Sequence, residues 1–407
     1  MTDRRILYTG AFLRAFAVGM VSVLIGLHLG AIGYEPGVIG GVVGAGLLGC
    51  AVSALLTTWR GDRIGRRRVL VTLAATGALG GVVVAFGSSV LVVGAAAFLG
   101  MLNGMGRDRG ASLIVDQVIL PATAADNERT RVFAVYNVIQ DSGHALGGLA
   151  AGLPDLLRRA AGIDADLAFR YAIGFYALIL AATAILYMRL SPAVEPGPSG
   201  PRARLRPESR GLLVRIAALF AIDSLAGGFL TTAMLSLFLA RRFGAGAAVI
   251  GALFFGARVA NALSHLAAAW LARRIGLVNT MVFTHIPSSL LLATVAWAPS
   301  FPVAAALFLL REGLVEMDVP TRQSFVVAIF SPEERTLASG VTHLVRLGAW
   351  SVAPSLAGLL MQGMSLGTPL LIGGAMKIAY DLALWTAFRR VRPPEERRAD
   401  EVRAAGS

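Results

Sequence analysis

Apolar residues run along this chain in stretches of about twenty to thirty, separated by short segments dense in arginine, aspartate, glycine and proline. A helix rises 1.5 Å per residue, so about 20 apolar residues cross the ~30 Å hydrocarbon layer of a bilayer. That ruler predicts twelve spans: 6–30, 37–59, 69–87, 90–120, 130–153, 168–189, 211–240, 246–271, 278–297, 301–330, 336–362 and 367–389. The fourth and tenth are long and carry many of the charges. The expected fold class is an all-α membrane protein with twelve transmembrane helices in two pseudo-symmetric six-helix bundles. Residues 1–189 form the first bundle, 190–210 a cytoplasmic linker, 211–389 the second bundle and 390–407 a basic cytoplasmic tail.

Composition agrees with the pattern. The chain is 56% hydrophobic and 15% charged, too apolar to cover itself as a soluble protein. Its 47 glycines suit helices whose backbones approach closely in lipid. A formal charge of +13 raises the question of nucleic acid, but the arginines sit mostly between apolar runs, and lipid is the expected partner instead. Lys377 is the single lysine and Cys50 the single cysteine, so an intramolecular disulfide is ruled out. The opening "MTDRRILYTG" leads straight into an apolar run with no small-residue cleavage site, and reads as a retained first span.

Arginine also orients the spans. "DRR", "RGDRIGRRR", "ADNERTR", the linker, "ARRIG", "SPEERT" and the tail from Arg389 fall on one side; "GYEP", "GSS", "PDLLRRAAGIDAD", "RRFGAG", "APSF" and "MSLGT" fall on the other. The first set is richer in arginine, which places both termini in the cytoplasm; the expected location is a cell (inner) membrane. The linker "SPAVEPGPSGPRARLRPESR" is rich in Pro and Gly and non-periodic, hence expected to be flexible.

Folding the chain at the linker exposes a repeat. "TTWRGDRIG" (57–65) lies over "AAWLARRIG" (268–276), "NERT" (127–130) over "EERT" (333–336), and "GGLAAG" (147–152) over "APSLAG" (353–358). In order and at equivalent spans, these matches argue for two similar six-helix units. The loop "GDRIGRRRVL" resembles the signature loop of the major facilitator superfamily, G-x-L-A-D-R-x-G-R-[KR], at Asp62, Arg63, Gly65, Arg66 and Arg67; Thr58 and Arg60 depart from it. "GHALGGLAAG" resembles the antiporter signature of span five, as in drug:proton antiporters, at Gly143, Gly147 and Gly152, with Gly148 in place of the proline. The resemblance implies a secondary transporter and a cytoplasmic gating loop whose acid latches the two halves in one state. Local neutralisation of Asp62 is the other reading.

Inside the spans, an ionisable group costs about 2.5–3.5 kcal/mol or more on insertion scales and is a functional candidate by default. Eight acids (Asp108, Asp116, Asp141, Asp223, Glu312, Glu316, Asp318, Asp381) face eight bases (Arg14, Arg107, Arg109, Arg258, Arg311, Arg322, Arg346, Lys377), which predicts pairing. In span five, Asn137, Asp141, His144, Gly148 and Gly152 share a helical stripe, and an acid one turn from an imidazole suits a proton relay. Substrate or proton coupling is expected at Asp141, His144, Asn137, Arg14, Asp223, Asp318, Arg322 and Arg346. Asp108, Asp116, Arg311 and Glu312 read as pairs that hold helices together; His28, His265 and His285 read as ordinary hydrogen-bonded helix residues.

No metal spacing, cofactor motif or P-loop is present in the sequence, and no nucleophile–base constellation marks an enzyme. The expected function is alternating-access, proton-coupled export of a small organic molecule by a monomer. Import or facilitated passage of an organic anion is the transport alternative, with Arg14, Arg322 and Arg346 as clamps. A non-transporting membrane sensor or scaffold is the alternative of another class.

Overall fold

A computed structural model describes residues 2–108, 110–124, 128–195, 206–317, 330 and 334–388. Among the described residues, a helix lies in each of the twelve expected spans. The first three are α1 (Asp3–Ala31), α2 (Pro36–Ile64) and α3 (Arg66–Phe86). Span four is broken into α4 (Val90–Leu99) and α5 (Ala111–Ala122). Span five is α6 (Arg129–Ala150), followed by a short α7 (Leu153–Ala161), and span six is α8 (Ala165–Tyr187). Span seven is also broken, into α9 (Pro207–Gly228) and α10 (Thr232–Phe243). The rest are α11 (Ala247–Ile275), α12 (Leu277–Val295), α13 (Phe301–Val315), α14 (Arg335–Gly363) and α15 (Thr368–Phe388). Among the described residues, nine helices are long and apolar enough to cross a membrane.

Local chemistry explains several boundaries. Pro36 opens α2, where its missing N–H costs nothing. The expected loop at 60–65 is mostly helix: α2 runs on to Ile64, so Asp62 and Arg63 sit in its last turn. Gly65 stops it with φ 99°, and Gly276 makes the same turn between α11 and α12 with φ 85°. The repeat read in the sequence therefore has a matching backbone. Trp59 and Trp270, also paired in that repeat, each carry an arginine guanidinium over the ring, from Arg60 and Arg274 respectively.

The chain forms two compact units. The first holds residues 1–199, 228–258 and 350–369; the second holds 200–227, 259–349 and 370–407. In the first, α1 is enclosed almost completely, and Ile6, Leu7, Val69, Leu70, Ile119, Tyr136 and Tyr187 form its core. In the second, Leu213, Ile216, Phe220, Met281, Val282, Tyr380 and Leu384 do the same. Many large apolar side chains remain outside, such as Leu79, Leu91, Leu178, Leu263 and Leu310, as a lipid-facing surface requires.

The two broken spans meet within the first unit. Ala233 N–H donates to the Gly104 carbonyl (3.1 Å) and Thr232 Oγ1 to the Met105 carbonyl (3.0 Å), so the start of α10 docks on the 103–107 turn. Asn103 bridges that turn, donating to the Arg107 carbonyl (2.7 Å) and accepting from Met105 N (2.9 Å). Non-helical backbone at membrane depth survives only with such partners. At the end of this unit far from the N-terminus, Asp155 accepts from Ala248 N (2.9 Å), Arg241 donates to the Tyr34 carbonyl (3.1 Å) and Gln362 Oε1 accepts from Gly37 N (3.3 Å).

Candidate functional site

The first polar cluster is built on Arg14, which α1 carries into the core of its unit. Its Nε donates to Asp108 Oδ2 at 3.0 Å and a terminal nitrogen to Asp116 Oδ2 at 2.5 Å. Asp108 comes from the turn that breaks span four, and Asp116 from α5, where it is wholly buried. Tyr136 on α6 donates to the same Asp116 oxygen (2.7 Å), and Gln140, one turn on, donates to the Tyr136 hydroxyl (3.3 Å). His144, a turn further, accepts the Asp108 backbone N–H at Nε2 (2.7 Å), which assigns a neutral ring with its proton on Nδ1. Tyr187 of α8 lies under the Arg14 guanidinium, 5.7 Å from its ring centre. Arg14, Asp108 and Asp116 sum to one negative charge. Asp116 Oδ1, also buried, accepts no hydrogen bond among the described residues.

Of the expected α6 stripe, His144 meets the cluster, whereas Tyr136 and Gln140 take the places expected of Asn137 and Asp141. Tyr136, Gln140 and His144 face the cluster, whereas Asn137 and Asp141 are exposed. Asp141 therefore does not join His144 in a relay here; the imidazole is turned to Asp108. Asp108 and Asp116, read from the sequence as helix-pairing acids, do pair, but with the arginine expected at the site.

The second cluster lies in the other unit. Asp223 of α9 accepts from Lys377 Nζ of α15 at 3.0 Å, and Arg346 of α14 approaches its other oxygen at 3.7 Å while donating to Ser224 Oγ at 2.9 Å. Lys377 also donates to His285 Nε2 of α12 (3.3 Å), and His285 Nδ1 lies 2.9 and 3.0 Å from the two oxygens of Asp381. All but Arg346 are buried. His285, expected to be an ordinary helix residue, thus sits between an ammonium and a carboxylate. No local signal in the sequence marks it: its partners are 92 and 96 positions away. In the same unit, Glu312 pairs with Arg311 and accepts from Asn261 Nδ2 at 2.8 Å. Asp318 and Arg322 lie outside the described residues.

At the signature loop, Asp62 is exposed and pairs with Arg66 four residues on, at 3.0 Å. Arg63 is exposed. Arg66 and Arg67 hold the chain that leaves span six: Glu195 accepts both of their backbone N–H groups (2.7 and 3.3 Å), and their guanidinium groups donate to the Val194 and Leu190 carbonyls (3.3 and 3.1 Å). A carboxylate at the start of α3 satisfies amides that a helix N-terminus leaves open. The span-five glycines serve two seams. A Cβ on Gly143 would come within 2.8 Å of the Phe12 carbonyl, and one on Gly147 would strike the Phe16 carbonyl, both on α1. Gly148 and Gly152 instead face α11, at Gly251 and Ala248.

Among the described residues, two buried charge clusters, a lipid-facing helical surface and paired broken spans fit a multi-pass membrane transporter. The sequence model of the Major Facilitator Superfamily matches residues 7–222 and 216–407, and the chain belongs to that family of secondary transporters. It is similar to the uncharacterized membrane protein YJR124C of Saccharomyces cerevisiae, at 25% identity over 95% of this chain and 94% of that one. Among solved structures, the nucleoside transporter NupG superposes with a TM-score of 0.72 at 15% identity, over 96% of this chain and 100% of its own. The xylose transporter XylE from E. coli gives 0.71 at 15%, over 96% and 98%. The human organic anion transporter MFSD10 gives 0.59 at 18%, over 94% and 98%. At such identities these structures establish the fold alone.

Proposed function

We propose that this transporter couples the movement of a small organic molecule to protons and works in the export direction. One observation carries the coupling: Arg14 is shared by two enclosed carboxylates, so these three groups together hold one surplus negative charge. Burying that charge is costly, and one proton removes it. The groups facing Asp116 are Arg14 from α1, Tyr136 from α6 and, through Arg14, Asp108 from the adjoining turn. Proton and substrate then compete for this cluster, and the occupied and empty forms favour different orientations of the two six-helix halves, 1–189 and 211–389. The linker 190–210 tethers them.

The export direction is supported by the glycines of α6 and their resemblance to the antiporter signature. With both termini cytoplasmic, as the arginine distribution argues, the tethers at Asp155, Arg241 and Gln362 belong to a state sealed on the outer side. A second reading, passage of an organic anion, is favoured by Arg346, whose side chain keeps 16% of its surface exposed while Arg14, at 6%, is spent on two acids.

The test begins with a thermal-shift screen of metabolites and drugs on the purified protein. Hits are then followed in proteoliposomes under an imposed pH gradient. Export coupling predicts uptake into everted vesicles that stops when the gradient is collapsed. Asp116→Asn is expected to reduce gradient-driven flux by about 5–150-fold, the usual size of a coupling between sites, and to leave counterflow of the same compound intact. Flux indifferent to the gradient in the unaltered protein rules out coupling, and substrates that compete by negative charge favour the anion reading.

A further inference from the structure

We infer that Asp381 is a second protonation site, reached through Lys377 and His285, in the C-terminal half and separate from the Arg14 cluster. The carboxylate is 1% exposed and the imidazole 2%, so neither meets solvent directly. The ring's two nitrogens are bonded to groups of opposite charge: Nε2 accepts from Lys377 Nζ at 3.3 Å, and Nδ1 donates to Asp381 at 2.9 Å. That polarity assigns a neutral ring with its proton on Nδ1, the tautomer ready to pass one proton on as it receives another.

The step is balanced. The Lys377 Nζ–H bond breaks as His285 Nε2–H forms; the His285 Nδ1–H bond breaks as an O–H bond forms on Asp381. The products are a neutral amine, the other neutral imidazole tautomer and a carboxylic acid, with no charge leaving the cluster. Lys377 then recovers its proton from solvent on the side of Arg346, the partly exposed member of the cluster. Until it does, Asp223 loses its ammonium partner and keeps Arg346 at 3.7 Å.

The groups that bear on the ring are known by element. Asp223 reaches it from α9 through Lys377, Arg346 reaches Asp223 from α14, and α15 supplies Lys377, Asp381 and the Tyr380 ring, 6.3 Å away and edge-on. On its own helix, Ser288 and Ser289 donate to the His285 carbonyl and not to the ring. A purely structural imidazole needs only its two hydrogen bonds. A glutamine offers the same pair, an acceptor for Lys377 and a donor for Asp381, but passes no proton. That difference makes the inference testable.

The experiment is a pH-jump on the full-length protein in lipid nanodiscs, followed by time-resolved infrared spectroscopy of the protonated-carboxyl stretch. Asp381→Asn is expected to remove one such band, which identifies it. His285→Gln is expected to melt close to the unaltered protein while that band appears about a hundredfold more slowly, in the range of a lost acid–base group. Lys377→Arg, which keeps the charge but holds its protons, is expected to slow it likewise and stands in should the glutamine variant not fold. Equal rates in either folded variant, or no band that depends on Asp381, overturns the relay. Asp116→Asn leaves this band in place, so its flux phenotype judges the Arg14 reading independently.

Discussion

The two halves answer the same problem with opposite signs. In the N-terminal half, the first helix brings a cation, Arg14, and later elements bring the acids Asp108 and Asp116. In the C-terminal half, the first helix brings an acid, Asp223, and later helices bring the cations Lys377 and Arg346. The balance differs too. Arg14 and its acids sum to −1, whereas Asp223, Asp381, Lys377 and Arg346 sum to zero with His285 neutral. Under the proposed coupling, the cluster with surplus negative charge takes up a proton, and the balanced one passes a proton along internally. Pseudo-symmetric architecture does not require symmetric chemistry.

Removing the central cation should separate the halves most sharply. Arg14→Ala leaves two carboxylates enclosed without a counter-charge, a loss of about 3–5 kcal/mol. Lys377→Ala leaves Asp223 with Arg346, and about 1–3 kcal/mol is expected. Thermal melts in one detergent compare them directly; equal losses would erase the asymmetry. Adding Asp116→Asn to Arg14→Ala should recover part of the loss, because it removes one of the stranded charges.

A smaller effect is expected from the glycine seam that holds α6 against Arg14. Gly147→Ala drives a Cβ into the Phe16 carbonyl and should cost about 1–3 kcal/mol, disturbing Tyr136, Gln140 and His144 on the same helix. At the neighbouring Gly148, an added Cβ would sit 3.5 Å from the Gly251 carbonyl, ordinary contact, and Ala should change stability by less than about 0.5 kcal/mol. Melting both variants shows whether the α1 seam or the α11 seam supports the cluster.

The smallest effect concerns the signature loop. Asp62 is exposed and paired within its own turn, so Asp62→Asn should cost no more than about 0.3–0.5 kcal/mol. Flux of an identified substrate sharpens the result. A variant with native stability and native flux has only a local pair, whereas native stability with lost flux means Asp62 meets the other half in another state.

Much of this was legible in the chain itself. The length of each apolar run set the helix count, because a bilayer imposes one crossing length on every span. The Gly65 and Gly276 turns were legible as a repeat. Arg14 and Asp223 were marked by charge at depth. Their partners were not. Sixteen ionisable groups in the spans allow many pairings, and only helix packing selects which side chains meet. On α6 the expected His144 meets the cluster but Asn137 and Asp141 do not, since periodicity defines a face without saying which neighbour it meets. The breaks in spans four and seven were also hidden: the start of α10 satisfies the Gly104 and Met105 carbonyls of the first, and Gly104 in turn accepts the Ala233 N–H of the second.

By itself, then, the sequence determined that this is a twelve-span, two-half membrane protein with charges it has to neutralise, because hydrophobic length and charge cost are properties of the segments alone. Tertiary structure decided which charges neutralise which, left one cluster with a surplus and balanced the other, and drew His285 into the second. Those outcomes depend on contacts between residues 92 to 154 positions apart, and no local pattern encodes them.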